Sequence, residues 1–153
     1  MKDNGGMNEK VGRSSCPINL ALELFGDRWT LLIIRDMMLR QLSSYGDFLN
    51  SPEGISTNIL ANRLKQLEGC GLIEKYSDPR DRKKFIYLLT EKGEDLLPVL
   101  MEMVRWGLKH SDEAVIPEEF LEKIRSDLPG FTDEILDKLR RERQRIKQSL
   151  ALV

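Results

Sequence analysis

The stretch Gly54-ISTNILANRLKQLEGCGLIEKYSDPRDRKKFI-Tyr87 decides how this chain folds. Ser56 offers a hydroxyl to the open amides of a helix start, and Leu60, Leu64 and Leu67 follow at i, i+4 and i+7. A helix running to Cys70 therefore turns one apolar stripe inward. Its opposite face carries Thr57, Asn58, Ala61, Asn62 and Lys65, which are small, polar or basic. Gly71 supplies the left-handed terminator, and Leu72 to Tyr76 and Phe85 to Leu89 read as two strands. Between them lies the basic turn Asp78-Pro79-Arg80-Asp81-Arg82-Lys83-Lys84. A helix with a polar outer face followed at once by a cationic hairpin has the layout of a winged helix-turn-helix.

The flanking segments fit that frame. Pro17 suits a first helical turn and Gly26 an exit, so a short helix should place Ile18, Ala21, Leu22 and Phe25 inward. Asp27 caps a second helix, Arg28 to Leu42, apolar on most sides and expected to form the centre of the core. Ser43 and Ser44 break it, Tyr45 to Leu49 forms one compact helical turn, and Ser51-Pro52-Glu53-Gly54 is a turn sequence. Beyond the hairpin, Thr90 caps a long helix from Glu91 to about Lys109. One of its stripes is Leu97, Leu100, Met101, Val104 and Leu108, the other Leu96, Val99, Met103 and Trp106. Two apolar faces need two partners, the protomer's own core and a second subunit. Pro117 to Leu128 and Thr132 to Leu150 read as two more helices parted by Pro129-Gly130. The expected fold is mainly α with a small β-hairpin: a flexible arm over 1–14, a DNA-binding and dimerisation domain over 15–110, and a helical extension over 111–153.

Composition narrows the class. With 153 residues, 41% apolar and 32% charged, the chain can bury one good core. It has no apolar run of the roughly 18 residues a membrane span needs, and Met1 to Ser15 is polar, so the expected location is the cytoplasm. The net charge of -1 hides a segregation. From Ser56 to Lys84 seven cations face four acids, whereas from Thr90 to Leu139 thirteen acids face six cations. A locally positive face on a mildly acidic body would orient the molecule on phosphate.

For duplex DNA the residue types make chemical sense. Asn pairs bidentately with adenine and a Thr methyl touches thymine, so Thr57, Asn58 and Asn62 are the candidate base readers. Ser56 and Tyr45 are placed for phosphate, while Arg63 and Lys65 could serve either purpose. Arg80, Arg82 and Lys83 on the wing can follow the adjacent minor groove. The rival is a protein-interaction module docking through the same helix and wing, and steep salt dependence separates the two. No nucleophile-base pair or phosphate loop is visible, so neither an enzyme nor a cofactor is expected. Two distant cysteines give no disulfide framework and no zinc spacing. Asp78 and Asp81 are assigned to bracing the wing, and His110 to a favourable charge at a helix end. Arg140 to Lys147 either extends the DNA footprint or is a solvated face.

Cys16-Pro17-Ile18, Gly26-Asp27-Arg28-Trp29-Thr30-Leu31-Leu32-Ile33-Ile34-Arg35-Asp36, Gly54-Ile55-Ser56, Leu67-Glu68, Gly71-Leu72-Ile73, Leu96 to Leu100 and Trp106-Gly107 resemble the HxlR-type winged-helix transcriptional regulators. The likeness runs from about Ser15 to Lys109, while the wing and Leu89-Thr90-Glu91-Lys92-Gly93 are closer to the related MarR regulators. The resemblance implies a homodimer that bridges two DNA half-sites through its first and long C-terminal helices, with room for an effector, redox or small-molecule. Some relatives sense oxidants through the cysteine before this proline. Cys16, at a helix start, is therefore a redox-sensing candidate, with packing or subunit contact as the alternatives. Cys70 is expected to bury its thiol near the helix exit.

Overall fold

The computed structural model describes residues 14–152, so the arm expected over 1–14 lies, apart from Ser14, outside the described residues. Three helices open the chain: α1 (Pro17–Phe25), α2 (Arg28–Leu39) and the single turn α3 (Tyr45–Leu49). Asp27 caps α2 by accepting from the Trp29 and Thr30 amides, each at 3.0 Å. Ser44 and Asp47 form a reciprocal capping box on α3. Next come α4 (Thr57–Gly69) and the antiparallel hairpin β1 (Ile73–Asp78) and β2 (Asp81–Leu89). A bridge between Ser44 and Ile86 adds the stub of a third strand, with the Tyr87 amide donating to the Ser43 carbonyl at 2.8 Å. That is the winged helix-turn-helix expected from the sequence.

The core gathers Ile33, Ile34, Met37 and Met38 of α2, Leu60, Leu64 and Leu67 of α4, Phe48, Leu72 and Ile73, and Leu97, Leu100 and Met101 further on. Each of the three α4 leucines is at most 3% exposed. Removing such a side chain from water stabilises by about 1.5–3 kcal/mol, so this stripe fixes the roll of α4 and hence which face looks out. Gly71, at φ +73, ends the helix as expected.

Four expectations need correction. In α1 no residue is buried: Ile18 is 71% and Leu22 55% exposed, because the protomer covers this helix only on its α2 side. The hairpin is longer than expected, since backbone pairing carries the polar Ser77, Asp78 and Asp81 to Lys84 into the strands and leaves Pro79-Arg80 as the turn. The helix expected from Glu91 is two, α5 (Glu91–Glu94) and α6 (Leu97–His110). Pro98, which lacks an amide and whose ring would meet the carbonyl four residues back, starts the second instead of continuing the first. Of the outward stripe of α6, Val99, Met103 and Trp106 are exposed but Leu96 is buried.

The C-terminal residues form α7 (Glu118–Ala151), broken at Asp127, whose φ of -154° and ψ of 75° are not helical. Asp127 accepts from the Gly130 amide at 2.9 Å and so caps the second arm two residues before the expected break. The arms fold back on each other: Phe120 stacks on Phe131 with centroids 5.7 Å apart, and Lys123 pairs with Glu134 at 2.9 Å. Ile124 and Phe131 join the core, and Arg143 reaches the buried Glu94 carboxylate at 3.3 Å. Burial pushes the Glu94 carboxyl above its usual range, against the pull of Arg143 and Arg140.

Candidate nucleic-acid interface

The position of α4 is set by an ionic knot that links α2 to the turn before it. The Arg35 guanidinium donates to both Glu53 oxygens, at 2.6 and 2.9 Å, and to Asp36 at 2.9 and 2.6 Å. Asp36, 2% exposed, also accepts from the Ser51 hydroxyl and lies 3.3 Å from Arg40. Hydrogen bonds from Arg35 lower the Glu53 pKa to about 2, and the same contacts raise that of Arg35. Sequence reasoning gave Arg35 and Asp36 no part in positioning α4 and missed this role. The signal was there only as an acid within an apolar helix, with no indication that Ser51 would meet it or that Glu53 would meet Arg35.

The outer face of α4 is as expected. Ser56, Thr57, Asn58, Ala61, Asn62 and Lys65 are all exposed, and the Ser56 hydroxyl caps the helix by accepting from the Ile59 amide at 3.3 Å. Two neighbours are committed elsewhere. Tyr45 donates its hydroxyl hydrogen to the Thr57 carbonyl at 3.0 Å, which uses the donor a phosphate contact would need. Arg63 turns toward the α2 cap, with Nε 3.2 Å from Asp27 Oδ1, and donates to Gln66 Oε1 at 2.5 Å. Burial acts against the charge on Asp27, but hydrogen bonds from Thr30 and the nearby Arg63 hold its pKa below the usual value. Both residues thus fasten the helix-turn-helix internally, where the sequence had offered them as DNA contacts.

On the wing, Asp78 accepts from the Arg80 amide at 2.9 Å and Asp81 from the Lys83 amide at 3.1 Å, the bracing expected of them. Those bonds to Arg80 lower the Asp78 pKa. The Arg80 side chain, 87% exposed, leans on Asp78 at 3.3 Å. Arg82 and Lys83 are exposed and their side chains enter no ion pair or hydrogen bond among the described residues. Lys75 lies 3.9 Å over the Phe85 ring. A depression of about 410 Å³ lined by Ala61, Lys65, Glu68, Lys75 and Tyr87 joins the outer face of α4 to the base of the wing. Ala61 and Lys65 of the helix and Lys75 and Tyr87 of the hairpin thus border one depression.

The HxlR-like helix-turn-helix family model matches residues 24–115, more than half of the chain and all of the elements that build this surface. The chain belongs to that family. It is a transcriptional regulator with a helix-turn-helix DNA-binding fold and not an enzyme. The HxlR-type chain is 36% identical over 98 residues to the HTH-type transcriptional regulator YodB of Bacillus subtilis, covering 63% of this chain and 87% of that one. An HTH-type transcriptional regulator of Synechocystis sp. is 34% identical over 92 residues, 60% of this chain and 67% of that one. Among solved structures, reduced YodB superposes with a TM-score of 0.53 at 33% identity over 67% of this chain and all of that one. The redox regulator HypR in its oxidised form gives 0.54 at 27% identity, over 63% and 99%.

The remaining sites lie outside that surface. Cys16 is exposed and is the N-cap of α1, its amide donating to the Ser14 hydroxyl at 3.1 Å. Cys70 is half-buried at the end of α4, its thiol 3.5 Å from the Leu67 carbonyl. His110 closes α6 beside Lys109, with its ring 4.8 Å from that of Trp106. No helix among the described residues is long and apolar enough to cross a membrane.

Proposed function

We propose that this HxlR-type regulator acts in the cytoplasm as a homodimer that reads promoter DNA at two half-sites. In each half, α4 enters the major groove with Thr57, Asn58 and Asn62 toward the base edges. Ser56, the open amides behind it and Lys65 hold phosphate, while Arg80, Arg82 and Lys83 follow the minor groove or the backbone beside it. Tyr45 and Arg63 keep the helix in place. The observation that carries this reading is the exposed, uncharged polar face of α4 together with the exposed wing cations Arg82 and Lys83, whose side chains enter no ion pair or hydrogen bond among the described residues.

The outward apolar side chains of α1 and α6, among them Ile18, Leu22, Met103 and Trp106, supply the subunit contact. Cys16 caps α1, so its oxidation would act on that contact. Its exposure supports a redox input of the kind named for HypR. Selection of bound sequences from a random duplex pool tests the main reading: an inverted repeat is expected, and recovery of no preferred sequence would overturn it. For the redox input, diamide should weaken operator binding by the native protein and leave Cys16→Ser unaffected. Equal loss in both would rule the switch out.

A further inference from the structure

The two arms of α7 pack over α2 and α6 and leave between them an apolar cavity of about 220 Å³ that opens to solvent. Met38, Met101, Val104, Phe120, Ile124 and Phe131 form most of its wall. Among the lining residues only Gln41 and Lys138 have polar side chains. The same two, with Leu139, also line an adjoining cavity of about 190 Å³ that holds Glu94, Glu142 and Arg143. They form a partition between an apolar chamber and an ionic one. On the ionic side, Glu94 is 1% exposed and its Oε2 has no hydrogen-bond partner.

The partition is built under constraint. Gln41 has φ +56 and is the sole non-glycine residue among those described with a positive φ. This left-handed residue ends α2, with the Leu42 amide returning to the Asp36 carbonyl at 3.1 Å, and so fixes where the Gln41 side chain stands. Lys138 enters no hydrogen bond or ion pair among the described residues and is felt by Glu142 through charge alone. An apolar cavity of roughly 150 Å³ takes up benzene, so this chamber has room for a ring or a short alkyl chain. With one cation and no acid on its wall, the head group that fits is an anion.

We propose that the chamber binds a small amphipathic carboxylate, its apolar body between α2, α6 and the arms of α7 and its carboxylate on Lys138. The site belongs to the extension: wall residues from Ile116 onward lie beyond residues 24–115, the part shared with the family. Past Lys138 the same helix is tied to Glu94 by Arg143 and to Glu74 of β1 by Lys147. An occupant that displaces Lys138 therefore bears on a helix fastened to the wing. That consequence for DNA rests on the function proposed above, but the binding step does not.

The test is calorimetric titration of the full chain, without DNA, using octanoate as the probe and octylammonium as its charge-reversed control. Octanoate should bind saturably, octylammonium should not, and Lys138→Met should weaken octanoate binding about tenfold or more, a loss of about 1.4 kcal/mol. Lys138 is exposed, so circular dichroism of the variant should match that of the native protein. Absence of saturable heat with octanoate at millimolar concentration, equal binding of the two probes, or an unaltered titration in Lys138→Met would each overturn the assignment. The titration contains no DNA, so its failure sinks the chamber alone and leaves the DNA reading standing.

Discussion

Lys147 Nζ lies 2.5 Å from Glu74 Oε2, which also accepts from the Tyr76 hydroxyl at 2.7 Å, so the second arm of α7 is fastened to the first strand of the wing. Lys147 and then Tyr76 hold the Glu74 carboxyl below its usual range. Both members of the pair are 40% exposed, which limits its contribution to about 0.5 kcal/mol. The contact orients the wing more than it stabilises the protein. Lys147→Met should lower Tm by only about 1–2 °C, while hydrogen exchange of the β1 amides quickens. Unchanged exchange in β1 would show that the fastening has no hold on the wing.

The Arg35 and Glu53 pair should leave a mark on the pH dependence of stability. The Glu53 pKa is depressed from 4.5 to about 2, so its contribution is complete above pH 4.5 and fades as pH falls toward 2. Urea midpoints of the native protein should drop across that window, and Glu53→Gln should flatten the drop. Arg35→Met removes a partner of buried Asp36 and should cost about 3 kcal/mol at neutral pH, read from the same unfolding curves.

Gly93 is set by space and not by backbone freedom. A Cβ there would lie 2.2 Å from the Leu72 carbonyl oxygen, a backbone atom that cannot swing away. Gly93→Ala should destabilise by about 2 kcal/mol, whereas Gly46→Ala, which meets nothing within 4 Å, should stay within about 0.5 kcal/mol. Equal denaturation midpoints for the two variants would contradict the crowding.

Trp106 is 66% exposed on the outward side of α6. A charge there should be tolerated by the protomer but not by an apolar subunit contact. In sedimentation velocity, Trp106→Glu should run as a folded monomer where the native chain runs as a dimer. A dimer that survives the substitution would place the contact elsewhere.

On DNA, Arg82→Ala and Asn58→Ala should fail in different ways. Loss of the wing cation should weaken all sequences alike and reduce the salt slope by about one. Loss of the helix amide should cost about 1–3 kcal/mol on the preferred site, relax its sequence at one position and leave the slope unchanged. Identical behaviour of the two variants would remove the distinction between reader and anchor.

The local signals in the sequence were legible because their causes are local. The Ser56 cap, the Leu60, Leu64 and Leu67 stripe, the Gly71 terminator and the asparagines on the free face all follow from spacing within one helix. What escaped depends on a distant partner. Periodicity showed that α1 has an apolar side, but the protomer leaves Ile18 and Leu22 uncovered. Asp36 gave no sign in the sequence of the Ser51 hydroxyl that closes on it, and Arg63 read as a DNA contact until Asp27 stood beside it. Strand length was misread because pairing, not β-propensity, draws Ser77 and Asp81 into the hairpin.

With Arg63 turned back to Asp27, the leading turns of α4 expose only uncharged groups, and the loose cations are Lys65 further along the helix and Arg82 and Lys83 on the hairpin. Under the function proposed above, selectivity and grip thereby fall to different side chains. A lineage can exchange Thr57, Asn58 or Asn62 to retarget the protein to a new operator without retuning how tightly it holds DNA in general.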